Sequence, residues 1–314
     1  MIFVSIIIPN YNHAPFLKER IDSVLQQTFQ NFEIIILDDC SKDNSREIIE
    51  TFRTDFRVKH IIYSESNSGS PFKQWAKGIE IAQGEYIWIA ESDDWCEPSL
   101  LSTLIDALQK NPEVVLGYVQ SYYMVGDNKI KWISKQDDLE KIIAGKDFIL
   151  GNMIEGNSIF NASMAVFKRS VYYQISTSYT QYKFCGDWFF WAAIAKNGNV
   201  FISGKVLNYF RNHNADVSGT AYSNGLNFIE ELQVLFSFLD DELITEAIFL
   251  KAIDAKHIRY RQLKNNFSEP MNIKIEALFY NDLRTKHLKS KITNSYRTFV
   301  LKQRVRKCLE KIGL

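Results

Sequence analysis

Two hydrophobic periods alternate along the first hundred residues. Short β-branched runs, Val4 to Ile8, Phe32 to Leu37, Val58 to Tyr63 and Tyr86 to Ala90, read as strands, and the stretches between them repeat apolar residues every three to four positions. In the first such stretch Leu17, Ile21, Val24 and Leu25 share one helical face, with Pro15 in the first turn and Asn12 placed to cap it. In the second, Ile48, Ile49 and Phe52 turn inward behind Asp43 or Asn44. A Ser, Asn and Gly loop from Ser64 to Ser70 leads to a third helix that starts at Pro71, reaches Gln83 and is ended by Gly84. Strands alternating with helices predict an α/β fold, a right-handed doubly wound and mostly parallel sheet with helices on both faces.

Beyond Ala90 the pattern loosens. It predicts a helix over Pro98 to Lys110, a strand over Val114 to Tyr122, a hairpin at Gly126-Asp127-Asn128, a strand over Ser163 to Phe167, and a helix from Asp187 to Asn197 ended by Gly198. From Leu226 onward Leu, Ile and Phe recur at helical spacing, broken by Ser268-Glu269-Pro270. The boundary falls near residue 220, giving an α/β domain over 1–220 and an α-helical extension over 221–314.

Composition mainly excludes. With 46% hydrophobic and 24% charged residues the chain is ordinary globular material, and a net charge of +0 supplies no global attraction to nucleic acid. From residue 281 on, however, ten Lys and Arg face two Asp and Glu. The helix from Phe299 to Ile312 carries an apolar stripe amid Lys302, Arg304, Arg306, Lys307 and Lys311, which suits peripheral docking on an anionic membrane, acceptor binding or self-association. Cys40, Cys96, Cys185 and Cys308 lie far apart without CxxC pairing, arguing against a disulfide framework or a zinc site and for a reducing cytoplasm. No segment approaches twenty uninterrupted apolar residues, so the expected membrane contact is peripheral, on the cytoplasmic face.

In open α/β sheets ligands sit beyond the carboxyl ends of the strands. Three exits are polar: Pro9-Asn10-Tyr11-Asn12, Asp38-Asp39-Cys40-Ser41 and Glu91-Ser92-Asp93-Asp94-Trp95. None is followed by GxGxxG or GxxxxGK[ST], which removes the main support for a dinucleotide dehydrogenase or a P-loop NTPase. Carboxylates gathered at one sheet edge repel unless something positive sits among them, and Mg²⁺ or Mn²⁺ sharing its shell with substrate phosphates is the usual solution.

At these residues the chain resembles family 2 glycosyltransferases of the GT-A fold. Val4 to Asn12, Leu37-Asp38-Asp39-Cys40-Ser41 and Gly84-Glu85-Tyr86-Ile87 through Asp93-Asp94 occur in the family's order and spacing, and the resemblance extends to about residue 220. It implies an inverting transferase that moves a sugar from a nucleotide diphosphate, a UDP-sugar by preference, to a hydroxyl of a glycan, glycolipid or lipid-linked acceptor. By the same resemblance Pro9, Tyr11, Asn12, Asp39, Lys73, Asp93 and Arg211 would bind the donor. Tyr11 would stack on the base and Asp39 accept a hydrogen bond from it. Asp94 and His213 would hold Mn²⁺ or Mg²⁺, with Glu91 as a further member, and Asp187 would be the general base. One departure is Ala76, where many relatives carry Asn. Two rival readings are a nucleotidyltransferase, whose Gly-rich basic loop after the first strand is missing here, and a silent nucleotide-sugar-binding scaffold, which could dispense with Asp187.

Overall fold

The computed structural model describes residues 3–126, 129–212 and 217–311, with side chains described through 212 and again over 221–306. The chain divides into two compact units, one of Met1–Met153 with Asn157–Ala215, the other of Ile154–Gly156 with Asp216–Leu314.

In the first unit β1 (Val4–Asn10), α1 (Ala14–Leu25), β2 (Phe32–Asp38), α2 (Ser45–Thr51), β3 (Val58–Tyr63), α3 (Pro71–Ile81) and β4 (Tyr86–Ile89) follow one another as the periodicity predicts. Then come β5 (Trp95–Cys96), α4 (Leu100–Lys110), β6 (Val114–Val125), β7 (Lys129–Ile133), β8 (Glu140–Ala144), α5 (Gly145–Asn152), β9 (Ala165–Lys168), α6 (Arg169–Tyr172), α7 (Gly186–Ala195) and β10 (Asn199–Asn212). Among the described residues they build one mixed ten-stranded sheet ordered β3-β2-β1-β4-β9-β6-β10-β5, with β7 on β6 and β8 on β10.

Strands β3, β2, β1 and β4 run parallel, and β1 and β2 are buried at every position, which is why they read as continuous Val and Ile runs. β9 is antiparallel to both β4 and β6, so β6 and its parallel partner β10 point the same way as β1. The carboxyl ends of β1, β2, β4, β6 and β10 therefore share one edge, and that shared direction assembles the site.

The second unit is helical: α8 (Val217–Asn224), α9 (Leu226–Asp240), α10 (Glu246–Leu263), α11 (Glu269–Tyr280) and α12 (Lys289–Lys311). Phe228, Leu232, Leu235, Phe236, Phe249, Ile253, Phe279 and Ile292 are buried as α10 packs on α9 and α12 and α11 packs on α9. Among the described residues no helix is long and apolar enough to cross a membrane.

Candidate active site

The loops after β1 and β2 are laced together by short polar side chains. Asn10 Nδ2 donates to Asp38 Oδ2 at 2.8 Å and to Ser41 Oγ at 3.1 Å, and Ser41 N returns a bond to Asp38 Oδ1 at 2.9 Å. Asn12 has φ of 57°, a left-handed conformation that Asn tolerates, and its Oδ1 accepts from Lys42 N at 2.7 Å. Asn12 therefore does not cap α1. His13 holds the cap position, and Asp43 Oδ2 accepts from Ala14 N at 2.9 Å. Pro9 stays inside β1 opposite Leu37, while the Tyr11 ring stands out, 44% exposed.

Asp39 is buried and its carboxylate is fully engaged. It accepts from Ser68 N and Oγ, at 2.7 to 3.0 Å, and from Gln74 Nε2 at 2.6 Å. It thus fixes the Ser64–Ser70 loop to α3 beside a cleft of about 470 Å³. Lys73 and Lys77, one helical turn apart on α3, line this cleft with Asp39, Tyr63, Ser64 and Glu65. Where Ala76 departs from the family pattern, Gln74 supplies the polar reach of α3 toward Asp39.

Past β4 the acidic turn splits into an inner and an outer part. Asp94 is 1% exposed and both oxygens are occupied: Oδ2 accepts from Asn161 Nδ2 and, at 2.6 Å, from Ser163 Oγ, and Oδ1 accepts from Arg211 N at 3.0 Å. The buried Arg20 is its ion-pair partner among the described residues, with Nη2 3.8 Å from Oδ2. Burial and the Asp93 charge push the Asp94 carboxyl upward, while Arg20, Ser163 and the Arg211 N–H pull it back. Glu91, half-buried, accepts from Trp75 Nε1 at 2.8 Å, and burial followed by repulsion from Asp93 raises it to about 8. Asp93 is half-buried, and its main-chain oxygen accepts from Arg211 Nη1 at 2.7 Å.

Arg211 closes this turn from β10. Its guanidinium lies between the rings of Phe16 and Trp95, at 4.5 and 4.3 Å, and Nη2 meets Glu19 Oε2 at 2.7 Å. These contacts commit it to holding strand and turn together. His213, expected at the metal, lies outside the described residues.

Asp187 stands in the first turn of α7, one position inside the helix, with Cys185 at the cap. A Cβ at Gly186 would fall 2.5 Å from a Phe72 ring carbon and 2.7 Å from the Tyr179 oxygen, so only glycine lets the helix start here. Asp187 Oδ2 accepts from Asn157 Nδ2 at 2.9 Å. The same short loop ends at Asn161, on Asp94. Four chain steps of about 3.8 Å separate the two, so the Asn157 and Asn161 Cα atoms lie at most about 15 Å apart. One loop therefore holds both acids.

Arg20, Gln74, Trp75, Asn157, Asn161 and Ser163 join the site although no motif marks them. The legible hint was Arg20, a cation on the apolar face beside Leu17, Ile21 and Val24, because a charge in a core stripe implies a buried partner. Among the described residues no group of three or more His, Cys, Asp or Glu forms a metal cluster. A hard cation held by one or two carboxylates and substrate phosphates needs none.

Known proteins share the family and the fold. The model of "Glycosyl transferase family 2" matches residues 5–176. Glycosyltransferase GlyG of Streptococcus pneumoniae is 34% identical over 161 residues, 51% of this chain, and the match spans 52% of that relative's length. A glycosyltransferase of Rickettsia typhi is 32% identical over 256 residues, covering 79% of this chain and 75% of its own. Among solved structures, Staphylococcus aureus TarS in complex with UDP-GlcNAc aligns over 96% of this chain and 91% of that chain with a TM-score of 0.70 at 19% identity, a likeness of fold. With the family match spanning more than half the chain and the sheet following the GT-A pattern, the chain is a glycosyltransferase and belongs to glycosyl transferase family 2.

Proposed function

We propose that the protein transfers a sugar, with inversion, from a UDP-sugar to a hydroxyl of a cell-envelope glycan, glycolipid or lipid-linked acceptor. The observation that carries this reading is the single loop that ties Asp187 to Asp94, because it brings the carboxylate proposed as proton acceptor and the acidic turn within one small span. The TarS complex supports a UDP donor by analogy of fold.

In this reading Tyr11 covers the base and the Asp39 cleft receives the uridine, with Lys73 and Lys77 answering its phosphate charge. Asp187 takes the acceptor hydroxyl's proton as that oxygen bonds to the anomeric carbon, and the bond to the diphosphate breaks with its electrons leaving on phosphate. The α7 N-terminus favours the carboxylate form of Asp187, and the Asn157 amide fixes its orientation.

Mg²⁺ or Mn²⁺ fits the acidic turn, where Glu91 and Asp94 lie by Arg20 and burial followed by repulsion from Asp93 raises Glu91. Asp94 is the proposed ligand, its carboxylate oriented by Asn161, Ser163 and the Arg211 N–H as partners of a ligating carboxylate do, with Glu91 and Asp93 beside it. The cation would offset charge on the leaving diphosphate. On α12, Leu301 and Val305, 62% and 50% exposed amid Lys302, Arg304 and Arg306, support docking on anionic lipid, which co-sedimentation with phosphatidylglycerol vesicles tests.

Asp187→Asn tests the core of the proposal. UDP binding should persist while turnover of UDP-GlcNAc, followed as UDP release, falls by roughly 10² to 10⁴. Turnover at the wild-type rate would show that the proton goes elsewhere.

A further inference from the structure

Four rings gather at the sheet edge beside the site without entering the core. Tyr123 on β6 lies opposite Trp132 on β7, and their rings stack with centroids 4.8 Å apart and planes 6° from parallel. Phe210 on β10 meets Tyr123 edge-on at 5.2 Å, and Phe160 meets Trp132 edge-on at 5.0 Å. Tyr123, Trp132 and Phe210 are only half-buried, and Phe160 is 43% exposed. Rings that could fill a core at a gain are instead left partly in water, which asks for a ligand.

Their position names it. Phe160 lies between Asn157 and Asn161, the two residues that hold Asp187 and Asp94. Phe210 directly precedes Arg211, whose main-chain N–H bonds Asp94. The cleft of Asp39 and Lys73 lies at the ends of β2 and β3, whereas this cluster stands at the ends of β6 and β10, on the other side of β1 and β4 in strand order. The base occupies one flank, so the second substrate must approach from the other.

We infer that Tyr123, Trp132, Phe160 and Phe210 form the acceptor subsite and take the flat C–H face of a pyranose ring, an assignment that rests on the transferase reading above. A sugar offers an apolar face and a rim of hydroxyls. The cluster answers with ring surface at its centre and polar groups at its margin, Lys131 Nζ standing 5.9 Å from the Tyr123 ring and Lys129 exposed on the same strand. An alkyl chain would want a continuous apolar groove, which these lysines interrupt.

Saturation-transfer NMR on the full chain, with methyl β-D-glucopyranoside, methyl β-D-galactopyranoside, the methyl β-glycoside of N-acetylglucosamine and octyl β-D-glucopyranoside as probes, tests the assignment. Irradiating the aromatic protons should label the ring C–H protons of at least one glycoside. Phe160→Ala and Trp132→Ala should each cut that signal about fivefold or more, and Ile142→Ala, an exposed β8 position, should leave it unchanged. Phe160 is exposed enough that its variant keeps the fold, so it decides if Trp132→Ala does not. The assignment is overturned if no glycoside is labelled, if Phe160→Ala is labelled like the wild type, if excess UDP abolishes the signal, or if label enters the octyl chain instead of the ring. UDP binding followed by thermal shift on the same sample separates the two readings: UDP binding without glycoside labelling sinks only the subsite, and labelling without UDP binding sinks the transferase reading.

Discussion

Both units bury charge, and they neutralise it differently. In the helical unit Lys256 Nζ meets Glu231 Oε2 at 2.5 Å and the Glu155 oxygen at 3.1 Å, while Asn227 Nδ2 donates to Glu231 Oε1 at 3.2 Å. A buried cation meets a buried anion, and neutral groups join them. In the sheet unit Arg20 Nη2 stands 3.8 Å from Asp94, and the Asp93 charge repels both Glu91 and Asp94. The first arrangement pairs unlike charges and the second crowds like ones, which is why the Glu91 and Asp94 carboxyls are both raised. A buried pair of unlike charges marks scaffold, and a crowd of like ones marks a place where something charged arrives.

The largest effect that could break this contrast is expected in the Lys256–Glu231 pair. Lys256→Met leaves Glu231 buried without its cation and should destabilise the protein by about 3–5 kcal/mol in urea unfolding, whereas Lys256→Met with Glu231→Leu should recover most of the loss. If the single variant unfolds like the wild type, the pair is not structural and the contrast fails.

In the acidic turn the effect is smaller and depends on pH. Glu91 titrates near 8 in the folded protein against 4.5 ordinarily, first because it is buried and then because Asp93 repels it. Between those values the folded chain keeps a proton that the unfolded chain has lost, so stability falls as pH rises from about 5 to about 8. Glu91→Gln keeps an acceptor for Trp75 Nε1 and removes the charge, so it should flatten this part of the pH dependence and raise the melting temperature at pH 8 but not at pH 5. Mn²⁺ with UDP should stabilise the wild type more at pH 8 than at pH 5, because the cation competes with the proton. A melting temperature indifferent to pH over this window in both proteins would remove the crowding of like charges from the account.

The same contrast explains what could be read in advance. Strands β1, β2 and β4 were legible because burial on both faces forces runs dominated by apolar residues. No strand was legible over Asn199–Asn212, where Ser203, Gly204 and Asn208 interrupt the apolar pattern and register shifts fall at Ile202/Val206 and Val206/Asn208. That strand exists through its long pairing with β6, which local sequence does not encode. In the site, Tyr11, Asp39, Glu91 and Asp187 were visible as motif residues at strand exits or a helix start. Their partners were not: Asn161 and Ser163 reach Asp94 across 67 and 69 residues, and a lone Asn or Ser announces no such contact. The donors that hold both oxygens of Asp94 were hidden for the same reason, since only folding brings them together.

The smallest effect is expected at Lys73, the site's counterpart to Lys256. Its ammonium is exposed, donates to the Ser68 oxygen at 3.1 Å and lines the Asp39 cleft, so no buried charge is orphaned when it is removed. Lys73→Ala should therefore change unfolding stability by no more than about 0.5 kcal/mol. A solvent-screened contact to a phosphate is worth about 0.2–1 kcal/mol, so UDP affinity measured by calorimetry should weaken by roughly 1.5- to 5-fold, with the difference shrinking as salt is raised. Unchanged UDP affinity would take Lys73 out of the donor site, and a stability loss approaching that of Lys256→Met would make it scaffold, leaving crowded like charge no guide to where this protein binds its donor.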